Sequence, residues 1–333
     1  MGKRLKILIL IRKFWEKYTT HKPKIDMIKA LEKHADVYYW HENGHINNIL
    51  QQLNVKPDFI FHYDIAWSYG LAPKIDGLKE IDIASGCFVI DLHWKPQKRI
   101  DYFEENNIDL IFSVAKHPFL NIFPQYKNKH RWLPWSINPG VMKDYHLKKE
   151  IDLLLMGLVY INSNNRGSYQ LPNKMPIKNR YAFRDAVFRK MKDRENFMFH
   201  PHPGNRVKKT QKLIVNETYA KELNRSKIFF TCGSRGATGS VAVLKFFEAP
   251  ACNSLLLAEP NQEIEELGFV DGENFVACTI ENVENKANYY LANEAERNRI
   301  SKNGYEFIHK FHTNEQRAKQ MIKEIDRLLS DSH

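Results

Sequence analysis

FFTCGSRGATGSVAVLKFFEAPACNSLLLA, Phe229 to Ala258, is the most informative stretch of the chain. Ile228–Thr231 is a short apolar run that leads into three glycines, Gly233, Gly236 and Gly239. A helical pattern is expected to open at about Ser240, and Ser254–Ala258 is a second apolar run of strand length. The stretch therefore reads as strand, glycine-rich turn, helix, short turn and buried strand. Glycines let backbone approach a phosphate closely. Ser240 as an N-cap would leave the first-turn N–H groups facing whatever occupies the loop. Ser234, Arg235, Gly236, Thr238, Gly239 and Ser240 are the candidate anion-binding residues. Glu248, two turns into the expected helix, shares a face with Val241 and Leu244. A carboxylate on an apolar face needs a partner, and sugar hydroxyls would serve. Asn253 stands where a left-handed residue is wanted after the helix. An ordinary strand–turn–helix–strand unit, with Glu248 reaching solvent or paired to a lysine, fits the same residues.

Toward the N-terminus, Lys6–Ile11, Val37–Trp40, Pro57–His62, Ile83–Leu92 and Leu110–Val114 read as strands. Helical patterns at Ile25–His34 and Ile46–Leu53 alternate with them. Alternation of this kind implies a doubly wound parallel sheet, whose ligands sit beyond the C-terminal ends of the strands. Two such ends pair a carboxylate with an imidazole, in Phe61-His62-Tyr63-Asp64 and in Asp91-Leu92-His93-Trp94. Asp91 or His93 is the candidate general base toward a hydroxyl, against the plainer reading of hydrogen bonding within a loop. A second alternation begins at Ile151–Gly157. Its first strand ends at Gly157, where the expected ligand side lies. Arg184, near the start of a helix running to about Met191, carries a fork that suits phosphate oxygens. Strand Phe197–Phe199 runs into His200-Pro-His-Pro-Gly204, and His200 is the candidate nucleotide contact.

These stretches carry a resemblance. FFEAPACNSLLLAEPNQEIEELGFVDGENFVAC resembles the donor-binding segment of GT-B glycosyltransferases, and most of all their CgeB-type, spore-maturation-protein-like branch. The segments Asp91–Trp94, Trp132–Gly140, Tyr181–Arg184 and Tyr219–Lys227 resemble further stretches of that branch in the same order. The resemblance implies an α/β fold of two Rossmann-like domains facing a cleft. It places an acceptor-side domain at 1–148, a donor domain at 149–312 and a last helix, 313–333, that crosses back to the first domain. It implies that Glu248 holds the ribose hydroxyls of a nucleoside diphosphate sugar. The chain departs from the pattern at two places. Many retaining relatives carry a second Glu where this chain has Ser240, and the usual glycine after the helix is Asn253.

Composition bounds the partners. The chain has 333 residues, enough for two domains, and 43% hydrophobic content, enough for full cores. Its formal net charge of +11 favours anionic partners: nucleotides, phosphate polymers, nucleic acid or an acidic membrane face. The four cysteines form no CxxC pair, which suits buried reduced thiols and a cytoplasmic location. The first apolar run is broken by Arg12 and Lys13, too early for a membrane span. No GxGxxG follows the first strand, and no phosphate-loop lysine motif, Asp-x-Asp pair, GxSxG elbow or HExxH helix occurs. The expectation is a metal-independent glycosyltransferase with no cofactor beyond its sugar donor. Its acceptor is a glycan, a cell-wall polymer, a protein or a modified DNA base. A nucleotide-sugar epimerase of the same fold and a non-catalytic binding protein are the alternatives.

Overall fold

The computed structural model describes residues 4–159, 180–202, 214–236 and 239–331. The chain divides into two compact units. One comprises Met1–Lys17, Lys24–Pro134 and Glu315–His333, and the other Tyr18–Pro23 and Trp135–Asn314.

The main sheet of the first unit has six strands: β1 (Lys6–Leu10), β2 (Asp36–Trp40), β3 (Phe59–His62), β4 (Ser85–Val89), β5 (Leu110–Ser113) and β6 (His130–Trp132). Their order is β2-β1-β3-β4-β5-β6, and every pairing is parallel. The chain leaves β1 toward one edge and returns to build toward the other, so the order reverses beside β1. Ile7 to Leu10 and Phe59 to Phe61 are sealed from solvent, as expected of strands covered on both faces. Helix Asn314–Asp331 groups with this unit from Glu315 onward. Its apolar stripe buries Ala318, Met321 and Ile325. Arg317 Nε donates to the Pro134 carbonyl at 2.8 Å, Gln320 to the Trp132 carbonyl at 2.7 Å, and Arg131 pairs with Glu324 at 2.9 Å.

The second unit holds β7 (Ile151–Gly157), β8 (Phe197–Pro201), β9 (Ser226–Thr231), β10 (Ser234–Gly236), β11 (Gly239–Val241), β12 (Leu255–Ala258) and β13 (Val276–Ala277). Its main sheet is parallel, in the order β8-β7-β9-β12-β13. Side chains alternate between the two faces of this sheet. Leu154, Met156, Phe229 and Leu256 enter one core, while Leu153, Leu155, Ile228, Phe230, Leu255 and Leu257 enter the other. The division between the units falls after Pro134, because Trp135, Ile137, Met142 and Tyr145 pack into the first of these two cores.

The segment from Gly233 to Leu244 corrects the expected helix start. β10 and β11 form an antiparallel hairpin, with Arg235 opposite Ser240 and Gly236 opposite Gly239. The helix opens at Lys245 and runs to Ala251, without a side-chain cap. Ser240 is therefore a strand residue, and its hydroxyl packs against Gly233, leaving no room for a side chain there. Val241 is likewise off the helix, and Glu248 lies in the first turn. The physical reason is that glycines flanking a short turn serve a hairpin as well as a helix entry. Glu263 then fastens the exit, its carboxylate accepting from Ala242 N at 3.0 Å. Beyond the helix, Asn253 adopts the expected left-handed conformation at φ 55°.

Candidate active site

The order of the second sheet reverses between β7 and β9, and the candidate side chains gather at the C-terminal ends of these strands. Gly157 closes β7 at φ +150°, a conformation that favours glycine. A Cβ at Gly157 would lie 2.9 Å from Arg184 Nη1, so the missing side chain is the space the guanidinium fills. Arg184 is buried, 3% exposed, near the start of helix Ala182–Met191. Its Nη2 donates to the Cys232 carbonyl at 3.1 Å and Thr231 Oγ1 at 3.4 Å, and the guanidinium lies 4.2 Å from the Tyr181 ring centroid. Its Nε has no partner among the described residues. Its hydrogen-bond partners among the described residues are neutral, and a buried cation so held is stabilised when an anion arrives.

Helix Lys245–Ala251 supplies the opposite wall. Lys245 Nζ sits 5.2 Å from the Tyr219 ring centroid. Glu248, one turn on, is 5% exposed. Burial pulls the Lys245 ammonium below its ordinary range and Arg184 adds to the effect, while Glu248 opposes it. Burial pushes the Glu248 carboxyl up, with Lys245 and the Tyr219 hydroxyl acting against that. The Tyr219 hydroxyl lies against Glu248 without a well-formed hydrogen bond, so the buried pair is ready to take another donor or acceptor. Arg184, Lys245, Glu248 and Tyr219 line one cavity of about 270 Å³. Met156, Trp135 and Leu244 give it apolar surface, and His202 and Asn216 add polar groups. A few polar groups converging on a largely apolar wall is the usual form of a small-molecule site.

Of the residues expected from sequence, Glu248 and Arg184 line this cavity, and Gly157 shapes it through Arg184. The hairpin residues do not line it. Ser234 accepts from Arg180 Nε at 2.9 Å, Arg235 pairs with Glu259, and Gly236 and Gly239 close the hairpin. Thr238 lies outside the described residues. His200 stays inside β8, paired with Glu222 at 3.2 Å, whereas His202, one residue beyond the strand, reaches the cavity. Sequence reading also passed over Lys245 and Tyr219. The signal for Lys245 was its spacing of three from Glu248, which puts both on one helix face.

In the first unit, Asp91 and His93 follow β4. Asp91 is half-buried and its Oδ1 accepts from His93 N at 3.3 Å, while the His93 residue is exposed. Asp64, beyond β3, ties their loop down. Its carboxylate accepts from Ile90 N and from Ala66 N, each at 2.8 Å. His62 is structural: Nδ1 bonds the Tyr102 hydroxyl at 2.7 Å and Nε2 the Pro73 carbonyl at 2.8 Å. The four cysteines are free and buried. Among the described residues no group of three or more His, Cys, Asp and Glu is placed to hold a metal, and no helix is long and apolar enough to cross a membrane.

Two α/β units, each built on a parallel sheet, make up the GT-B fold. Residues 181–323, a stretch that includes Arg184, Lys245 and Glu248, match the family model described as glycosyl transferase-like. Solved structures similar over almost the whole chain agree with that fold. HepE of Anabaena, solved with UDP and glucose, is 10% identical with a TM-score of 0.58, over 97% of this chain and 100% of its own. A glycosyltransferase from Rickettsia africae is 12% identical with a TM-score of 0.62, over 98% and 99%. The sucrose-phosphate synthase of Thermosynechococcus elongatus is 10% identical with a TM-score of 0.62, over 99% and 100%. No curated protein is similar to the chain in sequence.

Proposed function

We propose that the protein transfers a sugar from a nucleoside diphosphate sugar to an acceptor hydroxyl, without a metal, and that the nucleotide is uridine diphosphate. The observation that carries the reading is one cavity joining a buried carboxylate, Glu248, to two cations, Arg184 and Lys245. Glu248 accepts hydrogen bonds from the ribose hydroxyls, and the two cations take the diphosphate. The choice of uridine follows the Anabaena HepE structure, which was solved with UDP and glucose. The sequence motifs favour the CgeB-type branch among GT-B enzymes.

In the transfer, the acceptor oxygen bonds to the anomeric carbon as that carbon's bond to the diphosphate oxygen breaks. The acceptor proton passes to Asp91 or His93 of the first unit. The charge that develops on the departing diphosphate is met by Arg184 and Lys245 rather than by a metal. Incubating the protein with radiolabelled UDP-sugars in the presence of EDTA tests this. Transfer or donor hydrolysis is expected. Epimerised sugar alone would move the protein to the epimerase reading, and a signal restored only by manganese would overturn the metal-free mechanism.

A further inference from the structure

The first unit contains a strained turn that the donor site does not use. Trp67, Ser68 and Tyr69 follow β3 at φ 55°, 56° and 62°. Three consecutive non-glycine residues in the left-handed region are unfavourable for L-amino acids, so the surroundings must hold them there. Those surroundings are well defined. Asp64 accepts from Ala66 N at 2.8 Å, Arg12 Nε donates to the Tyr69 carbonyl at 2.9 Å, and the Tyr69 and Gly70 amides bond back to Ile65 and Ala66. The product of the strain is the position of one side chain. Trp67 is 37% exposed, among the few large apolar residues so placed, with Lys24 Nζ 5.1 Å from its ring centroid.

This turn adjoins the loop that carries the proposed base. The Asp64 carboxylate that caps the turn also accepts from Ile90 N, one residue before Asp91. Lys24 is within electrostatic reach of both Asp64 and Asp91. Burial draws its ammonium down to about 8, and the two carboxylates act in the opposite sense. On the same loop, Trp94 lies under Lys95 and Arg99, with the cations 5.9 and 5.5 Å from its ring centroid. An exposed indole offers a flat apolar face to the C–H side of a sugar ring, and an ammonium beside it pairs with an anionic substituent.

We propose that Trp67 and Lys24 form an acceptor subsite for an acidic saccharide, with the sugar ring stacked on Trp67 and its carboxylate or phosphate paired with Lys24. The proposal rests on the glycosyltransferase reading for its purpose but not for its geometry. It places the acceptor hydroxyl near Asp91 and selects acidic sugars over neutral ones.

The test is titration calorimetry on the full chain with saturating UDP, using glucose, glucuronic acid and glucose-1-phosphate as probes. At least one acidic sugar is expected to bind about tenfold tighter than glucose, and the tighter of the two identifies the anion. Trp67→Ala is expected to weaken that sugar about tenfold, Trp67→Tyr to keep most of the affinity, and Lys24→Gln to level acidic sugars with glucose. UDP affinity, measured separately, is expected to be unchanged in all three variants. The proposal is overturned if neither acidic sugar binds, if glucose binds as well as they do, or if Trp67→Ala and the wild type bind alike. A wild type that binds the acidic sugar but not UDP would instead remove the donor reading and leave the subsite standing.

Discussion

The Asp64 carboxylate meets the Arg99 guanidinium at 2.7 and 3.2 Å with both side chains sealed from solvent. Arg99 also donates to the Asp91 carbonyl at 2.8 Å, so the pair fixes the loops after β3 and β4 together. Asp64→Ala strips a buried guanidinium of its counter-charge, and removing one partner of such a pair costs about 3–5 kcal/mol. Urea unfolding is expected to show a loss of that order, and a loss well under about 1 kcal/mol, that of an exposed pair, would show that the ion pair does not organise these loops.

Glu248→Gln is expected to leave the fold intact and weaken UDP binding about tenfold, the cost of one charge-assisted hydrogen bond or more. Lys245→Met is expected to weaken it by at least as much. The wild-type pH profile follows from the shifts. Burial raises the Glu248 pKa, so affinity falls on the acid side at a pH above the ordinary glutamate range. Burial lowers the Lys245 pKa, so affinity falls on the alkaline side below the ordinary lysine range. Calorimetry across the pH range checks both limbs, and each variant is expected to lose its own limb.

Gly157→Ala joins backbone strain to a local collision. The substitution forces an alanine to φ +150° and sets its methyl against Arg184 Nη1. A stability loss of about 1–3 kcal/mol is expected. A weakening of UDP binding should accompany it, because the guanidinium must move. Thermal melting with and without UDP separates the two effects.

His62 makes the fold acid-sensitive. Burial lowers its pKa from an ordinary 6.5 to about 4. Between those values the unfolded chain binds a proton that the folded chain refuses, so stability is full above pH 6.5 and is lost as the pH falls to 4. The contribution is about 3 kcal/mol. His130, drawn down to about 4 by burial and by Arg131 and Lys116, acts over the same window. The melting temperature is expected to fall from pH 6.5 to 4, and His62→Gln to flatten part of that slope.

How much the sequence disclosed depended on how local the signal was. The buried strands were legible because each carries a short apolar run between polar turns, as Leu153–Met156 does within Ile151–Gly157, whose bounds match those expected. Glu248 was legible as a carboxylate on an otherwise apolar face, although Val241, one of the residues expected on that face, lies off the helix. The hairpin was not, because Ser234–Val241 carries turn chemistry that suits either of two continuations. Tertiary contacts made the choice, through Glu263 on Ala242 N. His202 and Tyr219 were missed because their role is set by where β8 ends and by what helix Asn216–Arg225 packs beside, neither of which is written locally. Asp64 was read with His62 as a carboxylate and imidazole at a strand end, whereas its partner is Arg99, 35 residues away.

The first unit is discontinuous in the chain, closed by residues that follow the whole of the second. During synthesis its sheet emerges from the ribosome first, yet Trp132, Pro134 and Arg131 wait for Gln320, Arg317 and Glu324. The second unit can collapse while translation is still under way. The first must keep part of its apolar surface uncovered until the last helix is delivered, which makes that interval the period in which a nascent chain is most exposed to chaperones and to aggregation.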